Sequence, residues 1–455
     1  MGVVDRKLFG TDGVRGVANV PPMTPEVALA LGRAAAMMFP GGRGHTRIVI
    51  GKDTRLSGYM FETALAAGIV SMGAEVHLCG PIPTPGIAYL TVGMRADAGV
   101  VISASHNPFE DNGIKFFGRD GFKLPDEVEA RIERLIEDPS GLPAPATGRE
   151  FGRAHRIDDA IGRYCVHLKS QFPRHLSLDG LRIAVDCANG AGYKVAPMVL
   201  HELGADVVEM SVDPDGTNIN ENCGAMHPEV LARKVVELRC DMGLALDGDG
   251  DRAILCDEHG EIVDGDAVLA ICAGHMAAKG TLKGGGVVGT VMSNFGLELA
   301  LRGMGLGLVR TDVGDRYVVE EMQRNGYNLG GEQSGHLLFL DHSTTGDGIL
   351  SALRILEVML EGGKRLSDLS KPFVRFPQVT LSGKVRDKPP LEALRRVQTA
   401  IKDAEAALGD KGRVNVRYSG TSALLRIMVE GEDEGHVRRL AQQILDAAAE
   451  EGILA

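Results

Sequence analysis

Aromatic residues make up only 4% of the 455-residue sequence, and tryptophan is absent. Stacking platforms for single-stranded nucleic acid or sugar rings are therefore scarce. No run of 18 apolar residues is long enough to span a bilayer, and the N-terminal MGVVDRKLFG has no apolar signal core. Arg6 occupies the position where a myristoylation signal needs Ser or Thr. Positive charge is also short: 49 Lys+Arg face 61 Asp+Glu, a formal net charge of −12, which opposes non-specific binding to nucleic acid or anionic lipid. The seven cysteines, at 79, 165, 187, 223, 240, 256 and 272, are odd in number and form no C-x-x-C pair. Neither a disulfide framework nor a zinc site is expected, and they read as buried thiols in a reducing compartment. No G-x-x-x-x-G-K-[ST] loop is present, which disfavours a nucleotide as phosphoryl donor. Together these absences predict a soluble cytoplasmic protein with no nucleic-acid or membrane partner.

Glycine, by contrast, is abundant, at 60 residues. The length alone corresponds to about three domains of roughly 150 residues. One phrase recurs three times: IVIG (48–51), a helical stretch and GAEV (73–76); IAVD (183–186), VAPMVLHEL and GADV (204–207); VVGT (287–290), LELALRGM and GLGL (305–308). Strand, helix, glycine stop and strand is the pattern of a βαβ unit, so parallel strands covered by helices are predicted. Each phrase leads to another apolar strand and then a polar loop: SASHNP, DGDGDR and GEQSGH. Ligands in open α/β sheets collect beyond the carboxyl ends of strands, so three equivalent loops are expected to face one cleft.

Composition places boundaries at the Pro/Gly/Ala-rich stretch 137–150, near 257–260 and near 371–377. The expected units are 1–150, 151–256 and 257–372, each α/β with a mixed sheet, followed by a distinct α+β unit over 373–455 around a central cleft.

Asp247, Asp249 and Asp251 are separated only by Gly248 and Gly250. Hard oxygen donors at that spacing suit Mg²⁺ or Ca²⁺. An EF-hand is excluded, because Arg252 stands where that loop needs glycine and the flanks LALA and AILC are strand-like. Ser105, at the mouth of an apolar strand, reads either as an activated nucleophile or as part of an ordinary Asx/Pro turn. Lys115 reads either as a cation or proton shuttle returning on the next strand, or as an exposed strand lysine. The loop Arg417-Tyr418-Ser419-Gly420-Thr421-Ser422 has the composition of a phosphate cradle. Arg15 and Arg55 lie in two further glycine-rich loops and are expected, with Lys115, Arg252, Arg417 and Arg426, to make the cleft locally positive. Gly284-x-Gly286-x-x-Gly289 does not follow a strand pattern and is discarded as a dinucleotide fingerprint.

In this order and over nearly the whole chain, GTDGVRG, GKDTR-SG, SASHNP, DGDGDR, GEQSGH and R-SGT resemble the α-D-phosphohexomutase family. The resemblance implies four domains and phosphoryl transfer on a sugar phosphate. It further implies Ser105 as the phosphoserine, Asp247, Asp249 and Asp251 as Mg²⁺ ligands with a phosphate oxygen on Ser105, and Glu332 and Ser334 as sugar contacts, with His336 beside them. Arg417, Ser419, Gly420 and Thr421, with Arg426 nearby, would hold the distal phosphate, and Arg252 joins the substrate set. Lys115 is the candidate for moving a proton, with His106 and His336 as lesser ones, and Arg15 completes the catalytic group. LFGTDGVRGVAN, DGTNINENCGAMHPE (215–229) and GEQSGH resemble the branch acting on glucosamine phosphates, glucose and mannose phosphates being the alternative. The expected partners are hexosamine phosphates, with a 1,6-bisphosphate of glucosamine or glucose as intermediate or activator. A homodimer is allowed, and a mobile fourth domain would give the bisphosphate room to turn. One departure stands out: Ser422-Ala423 replaces the Glu-Pro common after SGT.

Overall fold

A computed structural model describes residues 8–10, 12–39, 45–419 and 423–455. The expected repeat is visible in the first three sheets. In the first, parallel strands Arg47–Lys52, Glu75–Pro81 and Ala98–Ile102 are followed by the antiparallel return Asp111–Gly118. In the second, Arg182–Asp186, Asp206–Met210 and Met242–Leu246 precede Ala253–Asp257. In the third, Gly286–Thr290, Gly307–Thr311 and Leu329–Gly331 precede Leu337–Phe339. In every case the polar loop joins the third strand to the antiparallel return. SASHNP, DGDGDR and GEQSGH are thus topologically equivalent. The fourth sheet is an antiparallel triplet of Gln378–Lys384, Leu424–Gly431 and Gly412–Tyr418.

Two sheets run past the expected boundaries. Ala154–Arg156 adds to the first sheet along Glu75–Pro81, and Ile262–Val263 adds to the second along Ala253–Asp257. These edge strands are two or three residues long, too short to show the alternation that marks a strand in sequence.

Local chemistry accounts for the helices that position the site. The helix Pro25–Met38 starts at Thr24, whose hydroxyl accepts from Val27 N, with Pro25 in the first turn. It crosses the helix Ser57–Ser71 closely because Gly32 and Gly68 face each other's backbone. A Cβ on Gly32 would come within 2.4 Å of the Leu65 carbonyl oxygen. Asp347 caps the helix Gly348–Gly362 by accepting from Leu350 N and also accepts from the Tyr164 hydroxyl at 2.6 Å. Gly348 N in turn donates to the Gly250 carbonyl at 3.0 Å, tying this helix to the aspartate loop.

One continuous apolar core runs through the first three units, from Val49 through Tyr164 and Leu246 to Leu353 and Leu366. The fourth unit has its own core, including Val397, Ile427 and Ile444. It meets the third through polar contacts, in which Arg413 donates to the Val291 and Ser293 carbonyls and Asn294 Nδ2 to Glu430 and the Phe376 carbonyl, and through the edge-on ring pair Phe295–Phe376 at 5.5 Å. All seven cysteines are buried and unbridged. No helix among the described residues is long and apolar enough to cross a membrane.

Asp266 lies under this junction. Its Oδ2 accepts from Asn294 N at 2.7 Å, and its Oδ1 has no hydrogen-bond partner among the described residues. Burial, with the nearby Glu430 carboxylate, pushes its carboxyl up to about 7. The folded protein therefore keeps a proton that the unfolded chain releases between about pH 4 and 7. Stability should fall as pH rises through that window, by on the order of 4 kcal/mol at most. Asp266→Asn should remove this component, so urea unfolding at pH 5 and 8 should show a smaller pH difference in the variant than in wild type.

Candidate active site

The three equivalent loops converge. Ser105 follows the strand Ala98–Ile102 and adopts φ +54°, a left-handed conformation uncommon for a residue with a Cβ. Its hydroxyl donates to Asp247 Oδ2 at 2.5 Å, across the boundary between the first two units. His106 Nδ1 is 3.4 Å from the same hydroxyl. Gly248 allows this approach: a Cβ there would stand 2.5 Å from the Ser105 carbonyl oxygen.

Asp247, Asp249 and Asp251 are buried, and each offers a carboxylate oxygen within 4.8 Å of the others. Thr84 Oγ1 and Lys115 Nζ both donate to Asp249 Oδ2, at 2.7 and 2.8 Å. Asp249 Oδ1 and Asp251 Oδ1 are buried without a hydrogen-bond partner among the described residues. Burial pushes the Asp247 carboxyl well above its ordinary range, and Asp251 and Asp249 push it further. Crowded, dry carboxylates with unused oxygens fit a hard divalent cation. The second triad brought together, His275, Glu357 and Glu361, is already bridged by Lys279.

Lys115 is 2% exposed, which excludes the exposed strand lysine. Burial opposes its charge, but Asp12, Asp249 and Asp251 outweigh it and raise the ammonium above its usual range. His106 behaves oppositely: burial, Arg252 and Arg15 push its imidazole down to about 4. At neutral pH the site thus pairs a protonated lysine with a neutral histidine.

A ring of alternating charge surrounds the aspartate loop, and two of its members, Lys123 and Asp315, lie outside every motif quoted above. Asp12 accepts from Arg15 and from Lys123, the latter at 2.5 Å, and pairs with Lys115 at 3.1 Å. Lys123 also pairs with Asp315 at 2.5 Å, and His336 lies between Asp315 (3.3 Å) and Asp251 (3.5 Å). His336, expected beside the sugar contacts, is 3% exposed and backs Asp251. The same loop has Ser334 exposed and Glu332 half-buried, with Glu332 accepting from Gly314 N at 3.2 Å. Arg252 donates its backbone N–H to Asp247 Oδ1 at 3.1 Å.

Arg55 corrects an expectation. It is fully buried and every guanidinium N–H is engaged, with Asp53 and with the carbonyls of Ser105, Asn107, Pro108 and Asp111. It has no N–H left with which to bind an anion in the cleft. Sequence reasoning took its glycine-rich surroundings for an anion loop; burial decides otherwise. Asn220 and Asp53 escaped it too, the first inside DGTNINENC and the second two residues before Arg55.

On the fourth unit, Arg417 and Arg426 are directly opposite cross-strand neighbours, both half-buried. Ser419 is buried, and its carbonyl accepts from Lys388. Gly420, Thr421 and Ser422 lie outside the described residues. No hydrogen bond or ion pair among the described residues links Arg417 or Arg426 to the serine or aspartate loops.

Four successive segments match the phosphoglucomutase/phosphomannomutase family: alpha/beta/alpha domain I over residues 6–141, domain II over 162–260, domain III over 264–376 and the C-terminal domain over 381–447. The chain belongs to the phosphoglucomutase/phosphomannomutase family. Among relatives, the phosphoglucosamine mutase of Geobacter sp. (strain M21) is 59% identical over 439 residues, 96% of this chain and 97% of that one. A crystal structure of a family protein from Burkholderia thailandensis superposes with a TM-score of 0.81 at 22% identity, covering 98% and 97% of the two chains. The N-acetylphosphoglucosamine mutase of Aspergillus fumigatus, in complex with GlcNAc-6P and magnesium, has the same fold (TM-score 0.68, 18% identity, 98% and 96% coverage). The family fold of three α/β/α domains and a separate C-terminal domain is the one the repeats predict.

Proposed function

We propose that the chain interconverts glucosamine 6-phosphate and glucosamine 1-phosphate, with Ser105 carrying the transferred phosphoryl group. The observation that carries this reading is the Ser105 hydroxyl bonded at 2.5 Å to the first of three buried aspartates. The 59% identity to a phosphoglucosamine mutase over nearly the whole chain supports the amino sugar over glucose or mannose. We place the units at 1–150, 151–256, 257–372 and 373–455, with short edge strands crossing two of these limits.

Asp247, Asp249 and Asp251 would hold Mg²⁺, together with a phosphate oxygen on Ser105. When bound, the ion neutralises charge on the phosphoryl oxygens as the serine–phosphorus bond breaks. The O1 hydroxyl of glucosamine 6-phosphate attacks phosphorus; the O1–P bond forms and the Oγ–P bond breaks. Lys115, expected to move the hydroxyl proton, is held in its ammonium form by Asp12, Asp249 and Asp251 and has no lone pair to accept it, so neutral His106, next to Ser105, takes that proton instead. The Lys115 ammonium stabilises the departing serine oxygen and supplies its proton when needed. Arg15, held by Asp12, lends charge on the same side. The product, glucosamine 1,6-bisphosphate, must turn so that its 6-phosphate meets Ser105. Returning that group to the serine releases glucosamine 1-phosphate.

Glu332 and Ser334 would meet the sugar hydroxyls, with Arg252 beside them and His336 holding Asp251. Arg417, Ser419, Gly420, Thr421 and Arg426 would hold the phosphate that is not reacting. The separate core of the fourth unit supports a domain that opens while the intermediate turns. A coupled assay offering glucosamine, glucose and mannose 6-phosphates with Mg²⁺ and a trace of bisphosphate should show kcat/KM for glucosamine at least about tenfold above the others. Preference for glucose or mannose would overturn the sugar assignment and leave the family standing.

A further inference from the structure

Both peptide groups flanking Ser105 are fixed by one buried network. On the N–H side, Ser105 N donates to Ser103 Oγ at 2.9 Å, and Ser103 Oγ donates to Asp53 Oδ2 at 2.5 Å. On the carbonyl side, Ser105 O accepts from Arg55 Nη2 and from Asn220 Nδ2, each at 2.9 Å. The same two side chains also reach the Asn107 carbonyl, at 2.8 and 3.0 Å. Arg55 adds the Pro108 and Asp111 carbonyls, and its Nε donates to Asp53 Oδ2 at 2.8 Å. Four carbonyl oxygens turned towards one point repel each other unless a donor-rich group lies between them. A guanidinium, with five N–H groups in a planar fork, meets that need; an ammonium offers three.

The two side chains come from different units. Arg55 belongs to the first, with the serine; Asn220 belongs to the second, with the aspartates. The GKDTRLSG loop makes further contacts across this boundary: Thr54 Oγ1 donates to the Asn189 carbonyl at 2.5 Å and Leu56 N to the Gly216 carbonyl at 2.9 Å.

We propose that Arg55 and Asn220 form a clamp that positions the Ser105 phosphoryl group for transfer. Arg55 shapes the loop and holds Ser105 at φ +54°, and Asn220 registers that loop to the unit bearing Asp247. Both are positioning residues, acting through the Ser105 backbone. The proposal rests on Ser105 being the phosphorylated residue. Misplacing a reacting group by about 1 Å can cost on the order of 100-fold in rate, and this is the scale of effect expected when the register is loosened.

The test compares Asn220→Ala, Arg55→Lys and Thr54→Val with wild type. The measurements are steady-state kinetics on glucosamine 6-phosphate, single-turnover transfer from phosphorylated enzyme, and thermal unfolding. Asn220→Ala should lower kcat and the single-turnover rate together by roughly 10- to 100-fold while KM changes less than about twofold. Arg55→Lys should lose more; if it does not fold, the Asn220 result decides. Thr54→Val removes a contact between the same units without touching the serine loop, and should lower the unfolding temperature at unchanged kcat. Wild-type kcat in Asn220→Ala, or an equal loss in Thr54→Val, would overturn the clamp. A wild type that does not interconvert the sugar phosphates would instead overturn the functional reading beneath it.

Discussion

Ser105→Ala is expected to lower mutase turnover by at least about 10⁴-fold with the fold intact. The size follows from the proposed chemistry. Without Oγ the proposed carrier of the phosphoryl group between O6 and O1 is gone, and among the described residues no other serine is hydrogen-bonded to Asp247, Asp249 or Asp251. The fold should survive because the loop is held through its backbone: Ser105 N by Ser103, and Ser105 O by Arg55 and Asn220. Alanine keeps all three bonds. What it loses is the hydroxyl that donates to Asp247, a change of about 1–3 kcal/mol in stability. Turnover in the coupled assay and the unfolding midpoint, measured on the same preparation, check both halves. A variant that retained wild-type turnover would remove Ser105 from the reaction.

Asp247→Asn is expected to move activity and metal-free stability in opposite directions. In the absence of a cation, three buried carboxylates crowd one loop, and Asp247 bears both the burial and the repulsion of Asp251 and Asp249. Replacing it with a neutral isostere relieves that cost, so in EDTA the variant should be more stable than wild type by on the order of 1–3 kcal/mol at pH 7. Activity should fall about 10³-fold or more, because the ion loses an anionic ligand and the charge that it must balance changes. Added Mg²⁺ should raise the unfolding temperature of wild type and move that of the variant much less. Chelation should silence wild type, and Mg²⁺ should restore it. If Asp247→Asn destabilised the metal-free protein while Mg²⁺ stabilised both proteins equally, the three aspartates would not be the ion's site.

Much of this was legible in the sequence because it is written three times. Strand, helix, glycine and strand recurs with its polar loop at one topological position, so the convergence of Ser105, Asp247 and the 332–336 loop follows from counting elements. The seven unpaired cysteines likewise lie in cores, as their spacing implied. What escaped depends on burial or on contacts between distant segments. Arg55 lies in a loop whose composition resembles an anion cradle, yet its guanidinium is spent on carbonyls. Lys123 and Asp315 are 192 residues apart, and their pairing with Asp12 and His336 has no local signature. The edge strands Ala154–Arg156 and Ile262–Val263 are set by the neighbours they pair with. The protonation states of Lys115 and His106 also reflect their surroundings: both are largely removed from water, and opposite neighbouring charges send them opposite ways.

On the proposed route phosphate passes through Ser105 on its way between sugar oxygens. The most direct measurement is to charge the enzyme with glucosamine 1,6-bisphosphate labelled in both phosphates, map the label by tandem mass spectrometry, and chase with unlabelled glucosamine 6-phosphate. Label is expected on the peptide containing Ser105, with quantitative transfer to sugar in the chase and little inorganic phosphate formed. Label on another residue, or its loss to water as fast as it leaves the protein, would contradict that route.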